Sequence, residues 1–463
     1  MKILSIRAIA VFLAIFISGV FSQAQDITGQ WNGVLNEFKL RLVFHITQTD
    51  DGYTATWDSP DQNATGMRVT TVTFDGAKLS LAISNAGILY EGEYKADTIA
   101  GTFKQGGMSF PMTLKRTLVE VKSIVRPQEP KPPFPYRTED ITFENKIDGI
   151  TLAGTLTLPE TGSNFTAVIL ITGSGPQNRD EEIMGHKPFL VIADYLTRRG
   201  IAVLRYDDRG TAQSTGNFAR ATTADFATDA ESAIAYLKTR NEINPQKIGL
   251  MGHSEGGVIA PMIAARSEDV GFIVMLAGTG IRGDKLGLMQ QELLNRAVGT
   301  SEAEIAALSK ITAKVFDKIL TANGIVPYQE IVDFLTTMKD DIAAASSKEV
   351  SIDDFIKLFA ARMNPWMQYF LRYDPALALE QVKCPVLAIN GSMDLQVPAK
   401  ENLAAIAEAL KKGGNQKVTI KEYPGLNHLF QECTTGSMDE YAIIEQTFSP
   451  EVLKDLGDWI LAH

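Results

Sequence analysis

Cysteine is almost missing from this chain: Cys384 and Cys433 are the only two in 463 residues. A fold held by a disulfide framework is therefore excluded. Positive charge is also short, with 44 Lys+Arg against 55 Asp+Glu for a net charge of −11. Without a basic face, nucleic acid is not an expected partner. There are only five histidines, and no spacing of His, Cys and carboxylates matches a catalytic zinc site, so no metal is expected. Outside the first residues, no apolar run approaches the roughly 20 residues that span a bilayer, and no repeat of solenoid period occurs. What is present is a globular composition, 45% apolar and 21% charged. At a typical 100 to 200 residues per domain, that length predicts two or three domains.

Residues 1–24 have the pattern of an export leader. Lys2 and Arg7 supply the positive start, Ala8 to Val20 the apolar run, and Ser22-Gln23-Ala24 a small-x-small cleavage site. Its removal takes Lys2 and Arg7 away and brings the net charge to −13. The expectation is a periplasmic or secreted protein without stable membrane insertion. An uncleaved anchor is the alternative. No Cys follows the apolar run to carry a lipid.

From 26 to 118 the sequence alternates in short runs broken by turn pairs. Leu40, Leu42, Phe44 and Ile46 share one strand face, and Asp51-Gly52 and Asp75-Gly76 make turns. A small antiparallel β domain is predicted, barrel or sandwich. His45 falls on its polar face and is read as solvated. Residues 119–137 form a Pro-rich linker, with five prolines between Pro127 and Pro135. Such a stretch favours an extended spacer, although it could equally lie along the following domain.

Residues 138–463 change to apolar strands alternating with helical stretches, the pattern of a parallel sheet covered on both faces. An opening hairpin is predicted over Ile141 to Leu158. Strands are expected at 167–172, 201–206, 248–252, 272–277, 386–390 and 418–423. One gap, about 281–382, is helical, rich in Ala, Leu, Met and Phe, and reads as an inserted cap. Its Met363, Trp366, Met367, Tyr369 and Phe370 are read as cap core, with pocket lining as the alternative. Cys384 and Cys433 fall at opposite ends of this sheet, roughly 15 to 20 Å apart at about 3.3 Å per residue, so no bridge is expected.

Gly252-His253-Ser254-Glu255-Gly256 fits G-x-S-x-G where a strand runs into a small-residue helix start. Small residues flanking the serine allow a tight turn that lifts its hydroxyl clear of the sheet. A serine hydroxyl is a poor nucleophile until a base takes its proton, so an imidazole and a carboxylate should follow at later strand ends. Asp394, in Gly391-Ser392-Met393-Asp394, and His428, in Pro424-Gly425-Leu426-Asn427-His428, meet that demand in the order Ser, Asp, His. Asp207 and Asp208 compete with Asp394, but are read with Arg209 as holding loops beside the site. Among the other histidines, His253 is read as pointing away from the serine, and His186, on an entrance loop, is the competitor of His428.

Acyl transfer also needs donors for the oxygen that becomes negative. One expected donor is the Glu255 N–H at a helix start, where the dipole assists. The other should come from Thr172-Gly173-Ser174-Gly175-Pro176-Gln177, with Ser174 the choice and Gly175 or Gln177 behind it. The Glu255 side chain is expected to face solvent or bond a loop. Asn178-Arg179-Asp180-Glu181-Glu182 reads as a solvated charged loop. Gly278-Thr279-Gly280-Ile281-Arg282-Gly283 matches G-x-G-x-x-G but follows a late strand, so dinucleotide binding is not expected.

Four segments together, Gly173 to Asp180, Arg205 to Gly210, Gly252 to Gly256 and Asn427-His428, resemble the α/β-hydrolase superfamily across about 141–463. Within it they are most similar to exported bacterial serine hydrolases of the serine aminopeptidase-like and EstD-type esterase kinds. The resemblance implies a mostly parallel sheet with a helical cap. It also implies a carboxylic-ester hydrolase acting on small or medium acyl esters through an acyl-enzyme and without a cofactor, with Ser254 attacking, His428 moving the proton and Asp394 orienting the imidazole. A peptidase of the aminopeptidase-like type is the alternative within enzymes. A noncatalytic carbohydrate- or lipid-binding protein built around the β domain is the alternative outside them. Relatives usually have glycine where Ala212 stands, which puts the shape of that loop in question.

Overall fold

The computed structural model describes residues 26–35, 40–50, 52–60, 64–83, 87–95, 97–105, 108–117, 126–345 and 351–463. The expected leader lies outside these, as does the first part of the linker. Among the described residues no helix is long and apolar enough to cross a membrane. The chain divides into two compact units, Met1–Val121 and Lys122–His463.

Among the described residues the first unit is one antiparallel sheet of nine strands. They are β1 (Gly29–Leu35), β2 (Leu40–Thr49), β3 (Gly52–Ser59), β4 (Ala64–Arg68), β5 (Thr71–Phe74), β6 (Lys78–Ile83), β7 (Ile88–Lys95), β8 (Thr98–Gln105) and β9 (Met108–Lys115). Their order is β4-β3-β2-β1-β9-β8-β7-β6-β5. Although β4 and β5 stand at opposite ends of that order, only Val69 and Thr70 join them. The Val69 N–H bonds Ala55 O in β3 and the Thr70 N–H bonds Ala82 O in β6. The sheet therefore curls until its ends meet, which decides for a barrel over a sandwich. Period-2 alternation fills it with Trp31, Leu42, Phe44, Leu81, Tyr90 and Ile99. His45 is outward-facing and half-exposed, but it bonds Asp58 Oδ2 at 2.8 Å rather than being simply solvated.

The second unit carries a mixed eight-stranded sheet: β10 (Tyr136–Asn145), β11 (Ile150–Pro159), β12 (Phe165–Ile171), β13 (Ala202–Tyr206), β14 (Ile243–His253), β15 (Phe272–Leu276), β16 (Val386–Gly391) and β17 (Val418–Tyr423). The order is β10-β11-β13-β12-β14-β15-β16-β17, and only β11 runs against the others. This is the expected α/β-hydrolase architecture. Helices α1 (Pro188–Arg198), α2 (Thr223–Leu237), α3 (Gly256–Ala264), α4 (Gly283–Ala297), α5 (Glu302–Thr321), α6 (Tyr328–Thr336), α7 (Lys339–Ala345), α8 (Ile352–Arg362), α9 (Pro365–Arg372), α10 (Pro375–Leu379), α11 (Ala399–Lys412) and α12 (Pro450–Ala462) complete it. Helices α1 and α12 bury Phe189, Ile192, Leu456 and Ile460 against one sheet face. On the other face α2, α3 and α11 bury Phe226, Ile234, Ile259 and Ile406. Helices α5 to α9 close over a core of their own around Val315, Ile331, Ile342 and Leu371.

From β12 the chain crosses to β13 on one side, then returns past β12 to β14 on the other. The loops after β12 and β14 therefore part at the carboxyl edge and leave a crevice.

Residues 126–135 are not a free spacer. Arg126 donates to the carbonyls of Met184, Gly185, Ala442 and Ile444, and the Gln128 side chain pairs with the backbone of Thr447 and Phe448. Five prolines remove local backbone donors there, and these two side chains fasten the segment instead.

Candidate active site

The crevice begins at the turn between β14 and α3. Ser254 sits there at φ +52°, in the left-handed region that costs a non-glycine residue roughly 1–2 kcal/mol. Its N–H bonds Leu276 O at 2.8 Å, which fixes the turn to β15. A Cβ on Gly252 would lie 1.9 Å from Gly256 O, and one on Gly256 would lie 2.2 Å from Ile171 O. The two glycines are what let strand and helix close this tightly.

Asp394 follows β16 and His428 follows β17. One Asp394 oxygen, Oδ1, accepts the N–H groups of Gln396 and Val397, each at 2.8 Å. Oδ2 faces His428 Nδ1 at 2.7 Å. With Oδ1 occupied and Asp394 nearly inaccessible at 4% exposure, Nδ1 is the nitrogen that donates to the carboxylate, and in the neutral ring the bare nitrogen is then Nε2. The loop is built by Asn427, whose Oδ1 accepts from Leu429 and Gln431 N–H while its Nδ2 donates to Gln431 Oε1. The Ser254 hydroxyl and His428 Nε2 do not form a hydrogen bond with each other. Their segments are nonetheless joined, because His253 Nε2 lies 3.0 Å from His428 O.

The loop after β12 abuts the serine: a Cβ on Gly173 would come within 3.3 Å of Ser254 Cβ. Its backbone donors sort themselves. Gly173 N–H is taken by Glu181 Oε1 and Gln177 N–H by Asp208 Oδ2. Pro176 has none. Ser174 and Gly175 are left, together with the Glu255 N–H at the head of α3, and among the described residues none of these three has an acceptor. Gln177, one of the reserve oxyanion donors, is thereby removed.

Several expectations about nearby charge are corrected. The Glu255 carboxylate does not face solvent. It is buried, accepts Thr223 Oγ1–H at 2.6 Å and Trp366 Nε1–H at 2.8 Å, and burial pushes its pKa up to about 7 against those two bonds. The segment 178–182 is not a solvated loop. Arg179 forks onto Asp207, Arg205 pairs with Asp180, and Glu181 is buried against His253 Nδ1 at 2.9 Å. His186 is no competitor of His428: it lies fully buried between Thr447 Oγ1 and Tyr441 O, and burial, with Arg126 beside it, lowers its pKa to about 4. The charged run reads as solvated because sequence does not reveal which partners arrive, here from 25 to 72 residues away.

Asp207, Asp208 and Arg209 do hold loops. Asp208 accepts Thr172 Oγ1–H at 2.7 Å besides Gln177 N–H, and burial raises its pKa to about 8. Arg209 forks onto Asp229 at 2.7 and 2.9 Å. Asp208, Asp229, Glu255, Tyr206 and Thr172 border a small internal cavity large enough for about one water. Ala212 adopts φ +47°, so the loop keeps the shape that glycine would give it.

The apolar set near the end of the cap divides. Met363 is buried in the cap core and Met367 packs against it. Trp366 and Tyr369 pack on the main core, and Phe370 stacks on Trp366 at 5.7 Å. The glycines of Gly278 to Gly283 serve close packing. Cβ atoms on Gly280 and Gly283 would fall 2.6 Å from Asn402 O and 2.1 Å from Phe370 O. Cys384 and Cys433 are both free. Among the described residues no cluster of His, Cys, Asp and Glu could hold a metal ion.

Comparison with known proteins adds four findings. A family model described as serine aminopeptidase, S33, matches residues 187–432. Esterase EstD of Thermotoga maritima is 27% identical over 379 residues, 81% of each chain. YfhR of Escherichia coli K12 is 29% identical over 140 residues, 30% of this chain and 46% of its own. Among solved structures, the Pyrococcus furiosus esterase Pf2001 aligns with a TM-score of 0.43 at 16% identity, over 71% of this chain and 93% of that one.

Proposed function

The chain belongs to the serine aminopeptidase S33 family, and from that premise we propose that it is a serine carboxylic-ester hydrolase working through an acyl-enzyme. Ser254 attacks the acyl carbonyl, His428 Nε2 takes the hydroxyl proton and returns it to the leaving alcohol, and Asp394 holds the imidazole in the tautomer that leaves Nε2 bare. Water then repeats the sequence and releases the acid. Glu255 and Ser174 N–H groups receive the oxyanion, with Gly175 as the substitute for Ser174. The relay requires the Ser254 hydroxyl to come within reach of Nε2. Such contacts tighten when substrate is bound.

The observation that carries the reading is the 2.7 Å bond between His428 Nδ1 and an Asp394 carboxylate whose other oxygen is saturated by two backbone donors. The EstD relative favours an ester over a peptide. A peptidase that removes N-terminal residues needs carboxylates free to bind an amine. Of Glu292, Glu302 and Glu304 in the cap, Glu302 is paired with Arg296, Glu304 caps its own helix at Ser301, and Glu292 lies in the field of the same Arg296. The leader-like residues 1–24 support action outside the cytoplasm.

The test is a panel of short-chain acyl p-nitrophenyl esters, thioesters and aminoacyl anilides, run against the wild type and Ser254→Ala. Ester cleavage lost in Ser254→Ala supports the proposal. Anilide cleavage without ester cleavage moves the protein to the peptidases. An unchanged rate in Ser254→Ala removes the serine mechanism.

A further inference from the structure

Directly beneath the site lies a second histidine–carboxylate contact that the mechanism does not use. Glu181 Oε1 accepts the Gly173 N–H at 2.8 Å and faces His253 Nδ1 at 2.9 Å. His253 Nε2 faces the carbonyl oxygen of His428 at 3.0 Å. Both side chains are out of solvent, Glu181 at 1% and His253 at 5% exposure. Three loops thus converge on one pair: the loop after β12, the turn before α3 and the loop after β17.

The partners dictate the protonation. A carbonyl oxygen only accepts, so Nε2 of His253 must carry hydrogen. A neutral imidazole has one N–H, already committed there. Nδ1 would then turn a bare lone pair toward a carboxylate, with no hydrogen between them. A second proton on the pair resolves this, giving an imidazolium beside a carboxylate with no net charge. Glu181 holds its backbone at φ +52°, a left-handed conformation that persists in a non-glycine residue only where other contacts outweigh its cost.

We propose that Glu181 and His253 are a buried, doubly protonated positioning pair: His253 holds the His428 carbonyl while Glu181 holds Gly173, so that one neutral unit sets both the base and the oxyanion loop. The catalytic consequence rests on the esterase reading, but the protonation of the pair does not. The charged groups around His253 agree with it. Burial by itself would depress the imidazole, yet the Glu181 charge and bond, the His428 carbonyl and the more distant Asp394 outweigh it and raise its pKa. The His428 ring stands at a centroid distance of 4.7 Å, tilted by 45°.

Nitrogen NMR on the full chain labelled with 15N-histidine tests the protonation, with the His253 signals assigned by elimination, each of the other four histidines being identified by the signals lost in its own His→Gln variant. At pH 8, where a free imidazole of pKa near 6.5 is almost wholly neutral, both His253 nitrogens are expected to be protonated. One bare nitrogen on His253 at that pH overturns the proposal. Kinetics test the positioning role. A single Glu181→Gln change leaves a buried charge unpaired and can unfold the protein, so the kinetic variant is the uncharged double Glu181→Gln/His253→Gln. It is expected to melt cooperatively, with kcat on ester down on the order of 10- to 100-fold and KM within about threefold. A wild-type kcat, or a raised KM at unchanged kcat, overturns the positioning role. If the double variant does not fold, the NMR result decides alone. Should the wild type cleave no ester, the functional reading fails while the nitrogen signals still report on the pair.

Discussion

The indole N–H of Trp366, on cap helix α9, ends on the carboxylate of Glu255 at 2.8 Å, and Glu255 is the residue that follows the proposed nucleophile in the chain. The cap is therefore tied to the same residue whose backbone N–H is proposed to receive the oxyanion. A hydrogen bond to a charged, buried acceptor is worth about 1.5–3 kcal/mol.

Trp366→Phe removes that donor and keeps most of the apolar surface. At pH 9, where Glu255 with its pKa of about 7 is ionised, it is expected to destabilise by about 1.5–3 kcal/mol. The same change made in a Glu255→Gln background should cost less, because the acceptor is then neutral. Urea unfolding of the four proteins gives the coupling energy. A coupling energy indistinguishable from zero would mean that the contact contributes nothing.

Two buried groups make opposite contributions to stability with pH. Native Glu255, raised to about 7 by burial, keeps its proton where the unfolded chain, titrating near 4.5, has lost it. The native state binds more protons in that window, so this contribution falls as pH rises from about 4.5 to 7. Native His186, depressed to about 4 by burial, stays neutral where the unfolded chain, near 6.5, is protonated. Its contribution is lost as pH falls from about 6.5 to 4. In the overlap the two slopes cancel, so the wild-type profile conceals both. Each is worth at most about 3 kcal/mol. The stability of Glu255→Gln relative to wild type should climb with rising pH, and that of His186→Gln with falling pH. A difference that is flat across pH 4 to 7 rules out that group's contribution.

The parts of this architecture that repeat were legible in sequence. Alternation over Leu40 to Ile46 and over the apolar strands gave the two sheets, because periodicity reports which face is buried. Ser254, Asp394 and His428 stand out as candidates because each follows a strand at a turn whose residues are small or polar. Asn427 and Pro424 mark the His428 turn in the same way. What could not be read was contact between distant segments. Glu181 looked like one acid in a solvated run because its partners, Gly173 and His253, enter from other loops. Glu255 looked ordinary because a carboxylate in a first helical turn usually is, and Trp366 arrives from 111 residues away. Barrel and sandwich were indistinguishable because closure depends on where Val69 and Thr70 bond, not on alternation.

Asp394→Asn should disable the proposed base without loosening the fold. The N–H groups of Gln396 and Val397 both point at Oδ1, so an asparagine must place its oxygen there. Its NH2 then faces His428 Nδ1 and donates. That turns the imidazole to the other tautomer, with hydrogen on Nε2, where the Ser254 proton has to be received. A drop in kcat of roughly 10^4-fold is expected, with the melting temperature little changed. Ester hydrolysis and thermal unfolding measured together check this. A loss of less than about tenfold in a folded Asp394→Asn protein would falsify the assignment of Asp394.

Ala212→Gly tests the loop beside the site where an alanine does the work of a glycine. Ala212 is exposed at φ +47°, so its methyl group makes no packing contribution that would be missed. The neighbouring turn is held by Thr211 N–H on Asp208 O and Ser214 N–H on Thr211 O, and Ser214 Oγ donates to Asp207 O. None of these bonds involves the side chain at 212. Relief of a left-handed alanine is worth roughly 1–2 kcal/mol. Against it stands the extra freedom glycine gives the unfolded chain, about 0.4–1 kcal/mol. The first term is the larger, so the variant should be more stable by about 0.5 kcal/mol, the difference of these two effects. In urea the midpoint rises with m unchanged, and ester turnover stays at the wild-type value. A lower midpoint would mean that the loop does not hold residue 212 in the left-handed region.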